Sequence, residues 1–246
     1  MFIHKSTLVL ALATGAAVSL LMATPSARQD AQTPDQRVAA LKKNLADGQA
    51  ALRKYEWVET TVLSLKGEEK SRKQMRVYYG ADGKLQKTAL AAPPPPPAPP
   101  PSGGRGGRVK SKVVANKKDE MKDYMEKAVA LVHQYVPPSP EKIQKVKDAK
   151  KLAVTPDQSK VKLELSDYVQ SGDKLTLVID AAKNTLAGLS VATYLEKPKD
   201  TVTLDVQFGA LADGTSYQAQ TTFVAAAKNI QVVIQNTGHR PLQPTR

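Results

Sequence analysis

The stretch that decides the fold begins at VKLEL (161–165) and ends at IQVVIQ (230–235). Four more segments of the same kind lie between them: KLTLVID (174–180), LAGLSVATYL (186–195), TVTLDVQF (201–208) and TSYQAQTTFV (215–224). Apolar residues tend to alternate with polar ones, and a period of two places each apolar set on one face of a β-strand. The connections are short and rich in Gly, Asn and Asp. They leave no room for crossover helices, so the pattern predicts an antiparallel meander.

The first half of the chain adds helices and further strands. WVETTVLSL (57–65), KQMRVYYG (73–80) and KLQKTALA (84–91) are predicted strands. An amphipathic helix is predicted to begin at the Thr33-Pro34 cap and to end near Tyr55. A second helix is predicted over residues 119–136, and a third from Ser139-Pro140 onward.

A sheet with one apolar face needs a cover on that face. The fold class predicted is therefore α+β. A strongly curved antiparallel β-sheet, an unclosed barrel of roughly eight to ten strands, packs on two or three helices.

Residues 1–27 have the features of a secretory signal: Lys5, then a charge-free apolar run, then small residues. This predicts a periplasmic or secreted protein, the alternative being an uncleaved membrane anchor. Residues 28–236 form one predicted domain. It carries a Pro/Gly-rich insert at 92–108, predicted to be disordered, and a flexible tail follows at 237–246.

Composition and motifs exclude several classes of function. The chain has no cysteine and three histidines, which excludes thiol chemistry and argues against a multi-histidine metal site. No phosphate-binding glycine loop, GxSxG or HExxH motif occurs. We therefore predict no enzyme, no catalytic or metal-binding residue and no cofactor.

The net charge of +13 is unevenly distributed. Residues 105–151 hold thirteen Lys/Arg against six Asp/Glu, whereas residues 159–236 hold seven against eight. The basic first half and insert fit an anionic envelope surface or an acidic partner, or simply a solvated basic face. Because the chain has a predicted export signal, we do not expect nucleic acid as a partner.

The order of these elements resembles the LolA/LolB-like periplasmic lipoprotein carriers. The resemblance covers most of residues 34–236. It rests on the capped first helix, the early strands with their Asp-Gly turn (YYGADGKLQK, 78–87), two central helices, and the meander with its strand–turn–strand IDAAKNTLAGLSVATYL (179–195). It implies an unclosed barrel that wraps around helices and shelters an acyl chain. The Pro/Gly insert and the scarcity of aromatic residues depart from that pattern.

Two hypotheses follow. The first is an exported carrier with an apolar cavity for a lipid or lipoprotein acyl chain; a solid core would use the same residues. The predicted ligand-binding residues are Leu189, Val191, Val202, Leu204, Val206 and Phe208 on the sheet, and Met121, Met125 and Leu131 on the second helix. The alternative is an envelope interaction protein that docks an anionic surface or partner through its basic helix and Pro/Gly arm.

Overall fold

The computed structural model describes residues 43–44, 46–90 and 107–242, with side chains from residue 119 onward in the last range. The elements of these residues, in chain order, are α1 (43–44 and 46–52), β1 (Tyr55–Leu65), β2 (Glu68–Tyr79), β3 (Leu85–Ala89), α2 (Gly107–Val132), α3 (Pro140–Asp148), β4 (Leu152–Asp157), β5 (Lys160–Ser166), β6 (Lys174–Asp180), β7 (Thr185–Tyr194), β8 (Thr201–Ala210), β9 (Ser216–Ala225), a 3₁₀ turn η1 (Ala226–Lys228) and β10 (Ile230–Pro241).

The ten described strands form one sheet in the order β3-β2-β1-β10-β9-β8-β7-β6-β5-β4, and every neighbouring pair is antiparallel. β3 and β4 lie at the two edges and do not pair with each other, so the barrel is not closed. The predicted fold class, a curved antiparallel sheet packed on helices, is confirmed.

Register irregularities interrupt the ladders at four strand pairs. An extra residue in one strand bends that strand and increases its twist, which is how a ten-stranded sheet curves. The irregularity between β1 and β10 lies beside Gly238, whose φ of +64° falls in the left-handed region. Glycine adopts this conformation without steric cost.

Several predicted bounds differ from the structure. β4 was not predicted, because Pro156 interrupts its short apolar pattern. β10 continues through Pro241, so residues 237–241 of the predicted flexible tail lie in a strand that pairs with β1. α2 begins at Gly107, well before the predicted start, and so includes the last two residues of the predicted insert. The predicted signal and the rest of the insert lie outside the described residues.

The helix-side face of the sheet carries the main core. Its largest fully buried apolar side chains on the strands are Leu165, Leu175, Val191 and Val202. Ala128 and Val132 of α2 and Val146 of α3 pack onto this cluster. α3 begins as predicted: Ser139 caps it, accepting a hydrogen bond from the Lys142 N–H, and Pro140 follows in the first turn.

A buried carboxylate connects three strands at one end of β1. Glu56 is 5% exposed and pairs with Arg76 of β2 and Arg240 of β10. Burial raises the pKa of Glu56, but the two guanidinium groups outweigh that effect and the net pKa is lowered. The carboxylate is therefore charged at neutral pH and joins β2 and β10 across β1.

We expect Glu56→Ala to lower the free energy of unfolding by about 1–3 kcal/mol, because it removes hydrogen bonds between charged groups at a buried site. Urea unfolding measures the change. Glu68→Ala removes the exposed Lys70–Glu68 pair and is the matched control, which should leave the unfolding midpoint nearly unchanged. Equal effects of the two substitutions would contradict a joining role for Glu56.

Candidate functional site

The helix-side face of the sheet brings the nine predicted ligand-binding residues into one cluster. Leu189, Val191, Val202, Leu204 and Val206 are buried in it, and Phe208, Met121, Met125 and Leu131 are partly buried and pack against it. They form an interface between the sheet and α2. Whether they contact a ligand remains a prediction.

Register connects this cluster to residues that the sequence did not single out. Residues directly opposite each other on paired strands share a face. One such set, which we call the apolar row, crosses eight strands: Leu63, Val232, Phe223, Leu204, Val191, Leu175, Leu165 and Leu152. Its middle is buried, with Leu175 0% and Val191 1% exposed, whereas Leu63 at its β1 end is 36% exposed. The apolar face thus extends beyond the part that the helices cover.

Polar contacts hold the C-terminal end of α2 and the turn after it against the sheet. The Tyr135 hydroxyl donates to Asp173 Oδ2 at 2.5 Å and lies 2.8 Å from Thr193 Oγ1. Asp173 is 2% exposed and also accepts from the backbone N–H groups of Tyr168, Val169 and Gln170. This network fixes the end of α2 to the loop between β5 and β6.

A second anchor lies within α2, before the first one in the chain. The Tyr124 hydroxyl donates to Asp200 Oδ1 at 2.6 Å, and Lys228 of η1 lies 5.4 Å from the Tyr124 ring centre. Burial, followed by the neighbouring carboxylate, raises the pKa of both Tyr124 and Tyr135 well above the usual tyrosine range. Both phenols therefore remain protonated donors at neutral pH.

Tyr135→Phe is expected to destabilise the protein by about 1–3 kcal/mol, because the buried Asp173 and Thr193 lose a partner. Urea unfolding monitored by circular dichroism gives the value. Tyr78→Phe, on a strand far from α2, is the control and should change stability by less than about 0.5 kcal/mol. An unchanged midpoint for Tyr135→Phe would exclude the proposed anchor.

Two grooves border α2 outside this interface. One, of about 650 Å³, lies between α2, the β7–β8 turn and η1, and mixes acidic side chains with Lys127, Lys197, Lys199 and Lys228. The other, of about 370 Å³, follows the outer side of α2 at Met125, Val129 and His133. None of the six predicted sheet residues lines either groove. A ligand on those residues would have to displace part of α2.

A separate aromatic cluster surrounds His239, a residue placed in the tail by the sequence prediction. The His239 ring stacks on Trp57 at 5.6 Å and lies 4.1 Å from the Tyr217 ring. Trp57 Nε1 donates to Asn236 Oδ1 at 3.1 Å, so the single tryptophan of the chain packs at the sheet. His239 Nε2 is buried and has no hydrogen-bond partner among the described residues. Burial lowers the pKa of His239 below its ordinary value of 6.5.

This lowered pKa gives stability a pH dependence with a defined sign. As pH falls, the unfolded chain binds the proton before the folded chain does, so stability present above about pH 6.5 is lost below it. His239→Phe should reduce the loss, whereas His133→Gln, at an exposed position, should leave it unchanged. Urea midpoints between about pH 8 and pH 5 test this. An identical pH dependence in His239→Phe and the parent would refute it.

The described residues contain no group of three or more His, Cys, Asp or Glu that could hold a metal ion. No helix among the described residues is long and apolar enough to cross a membrane.

Seven chains of solved structures are similar to this one, and three of them serve as examples. A DUF1329 family protein from Desulfovibrio piger ATCC 29098 has 11% identity and a TM-score of 0.39, covering 85% of this chain and 94% of that one. A LolA superfamily protein from Nitrosomonas europaea has 8% identity and a TM-score of 0.37, covering 83% and 94%. A domain described as an outer membrane lipoprotein-sorting protein from Vibrio parahaemolyticus has 11% and 0.34, covering 85% and 95%.

With identities of 8 to 11% and TM-scores below 0.5, these likenesses carry no argument about family, ligand or activity, and the LolA-like resemblance stays a prediction. No protein-family model and no curated protein matches the chain.

Proposed function

We propose that this protein is an exported carrier that holds a lipid or lipoprotein acyl chain between the helix-side face of its sheet and α2. The observation that supports this most directly is the apolar row. It continues past the helix-covered core to Leu63, which is 36% exposed, with Val232 partly buried beside it. An apolar surface that extends beyond its cover offers a chain-like ligand a place to begin binding.

Physical chemistry explains how such a ligand enters a packed interface. The ligand replaces the contacts of α2 with equivalent apolar contacts, at roughly 25 cal/mol for each Å² of apolar surface removed from water. Met121 and Met125 are flexible side chains that repack around differently shaped ligands. The polar anchor at Tyr135 holds the C-terminal end of α2 while the rest moves. In this proposal α2 is a lid.

The test uses a neutral ligand, so that charge plays no part. Monopalmitoyl glycerol is titrated against the protein loaded with the polarity-sensitive dye N-phenylnaphthylamine, and native mass spectrometry gives the stoichiometry. We expect saturable displacement and a one-to-one complex. Leu63→Glu and Met125→Glu should each weaken binding by about tenfold or more, because a carboxylate in an apolar contact costs well over 1.4 kcal/mol.

Val62→Glu is the matched control. Val62 precedes Leu63 on β1 and points to the opposite face, so the same substitution leaves the proposed site intact. Leu63 is exposed and Met125 partly buried, so these variants are expected to fold, and circular dichroism confirms that they do. Absence of any displacement by monopalmitoyl glycerol, or equal loss in Val62→Glu and Leu63→Glu, would overturn the carrier proposal.

A second candidate function is docking to an anionic envelope surface or partner. α3 supports it: Val146 is buried and Ile143 partly buried, whereas Lys145 and Lys147 of α3 and Lys150 of the turn after it are exposed. Binding to anionic vesicles should then weaken steeply with ionic strength, because exposed charges are screened within about 10 Å at 0.1 M salt. Replacing these three lysines by glutamine should abolish it and leave monopalmitoyl glycerol binding intact.

A further inference from the structure

Lys73 of β2 stands at the end of a second row on the helix-side face. Register places it opposite Thr61, which is opposite Ile234, and the row continues through Thr221 to Val206. Because directly opposite residues share a face, Lys73 lies on the same side of the sheet as the buried Val206. The side chain of Lys73 is exposed and has no ion-pair partner among the described residues.

Two other charged side chains near Lys73 neutralise each other. Glu59 of β1 is 14% exposed, and both of its carboxylate oxygens lie 2.7 Å from Lys87 Nζ. Register places Glu59 opposite Met75, which is two residues from Lys73 on β2. The Glu59–Lys87 pair therefore carries no net charge, whereas Lys73 has no ion-pair partner in the described part of the chain.

Along the row of Lys73, the side chains change from Lys73 and Thr61 on β2 and β1 to the buried Val206 on β8. Elsewhere on this face β1 and β2 contribute the buried Trp57 and Val77. Four strand spacings of about 4.8 Å separate β2 from β8, so Lys73 lies roughly 19 Å across the sheet from Val206. A long fatty-acyl chain can span this distance.

We propose that the ligand is an amphiphile with one long acyl chain and an anionic head group. The head lies at Lys73, and the chain runs past Ile234 to Val206, beside the apolar row. This rests on the proposed carrier function and names the ligand class for the same site. A charge-assisted hydrogen bond from the ammonium group to a phosphate or carboxylate fixes the direction in which the chain lies. The Glu59–Lys87 pair next to it presents further donors and acceptors to the polar part of the ligand.

The experiment compares three ligands with the same acyl chain. Monopalmitoyl glycerol is neutral, palmitoyl lysophosphatidic acid differs from it by an anionic phosphate, and palmitoylcholine is cationic. Each displaces the neutral dye N-phenylnaphthylamine from the full protein, and the ratio of affinities is the readout. We expect lysophosphatidic acid to bind about three- to tenfold more tightly than the neutral ligand, and palmitoylcholine to bind most weakly.

Variants of Lys73 then assign the preference to this side chain. Lys73→Gln should bring the ratio of anionic to neutral affinity close to one, Lys73→Glu should favour palmitoylcholine, and Lys73→Arg should keep the anionic preference. Lys160→Gln removes an exposed lysine from the β4–β5 hairpin at the far edge and should leave the ratio unchanged. Lys73 is exposed, so these variants are expected to fold, which unfolding curves verify.

The outcomes separate this inference from the carrier proposal. Equal binding of all three ligands by the parent, or an anionic preference that persists in Lys73→Gln, overturns the role of Lys73 and leaves the carrier proposal standing. Binding of none of the three ligands overturns both. Binding of lysophosphatidic acid alone overturns the carrier proposal, because the neutral ligand with the same chain then fails to bind, and where it is lost in Lys73→Gln it supports only a head-group contact at Lys73.

Discussion

The pairing of β1 with β10 is the constraint on which the other features depend. It extends from Tyr55 opposite Pro241 to Leu65 opposite Ile230 and so joins the first described strand to the last. Three strands alone make a marginal sheet, whereas three strands added to a seven-stranded meander share its core. The pairing is also highly non-local, so the entropy of closing a long loop must be overcome before the contacts form. The Glu56 carboxylate strengthens the ladder where it is most irregular, beside the Gly238 bulge.

This pairing also creates the apolar row. Val232 and Phe223 belong to the meander, and Leu63 belongs to the first hairpin. Only the β1–β10 ladder puts Leu63 in line with them. The helices, inserted between β3 and β4, lie over the β5 to β8 side of the sheet, as the burial of Leu165, Leu175 and Val191 shows. The β1 end of the row is therefore less covered than its middle.

Most strands could be predicted from the sequence because alternation is a local property. The prediction was wrong where the residue types of a segment are unusual in strands and the backbone of that segment nevertheless pairs with a neighbouring strand. The β4 strand contains Pro156, which β-sheets accept only at edges or bulges, and β4 is an edge strand. The end of β10 contains Gly238 and Pro241, which are typical of a tail, yet its backbone pairs with β1. The start of α2 follows a glycine-rich segment that suppresses the helix signal in the sequence.

The candidate site could be predicted in part, for the same reason. The nine predicted residues are apolar members of local patterns, and the structure clusters them. Leu63 and Lys73 acquire their positions through cross-strand register, and the sequence does not specify which strand lies beside β1. The Tyr135–Asp173 contact joins residues from two elements with no shared motif.

The way α2 is fastened favours a lid over a permanent part of the core. A helix that is permanently part of a core buries a broad apolar stripe, and each large side chain contributes about 1.5–3 kcal/mol. Of the described α2 side chains, only Ala128 and Val132 are fully buried, while Met121, Met125 and Leu131 are partly exposed. A hydrogen bond such as that of Tyr124 contributes about 1 kcal/mol net, because water replaces it when it opens. The Tyr135 anchor differs, since it satisfies a buried carboxylate that water does not reach. One end of α2 is thus held strongly and the middle weakly, which allows the helix to lift from the sheet around a fixed end while the ten-stranded ladder stays intact.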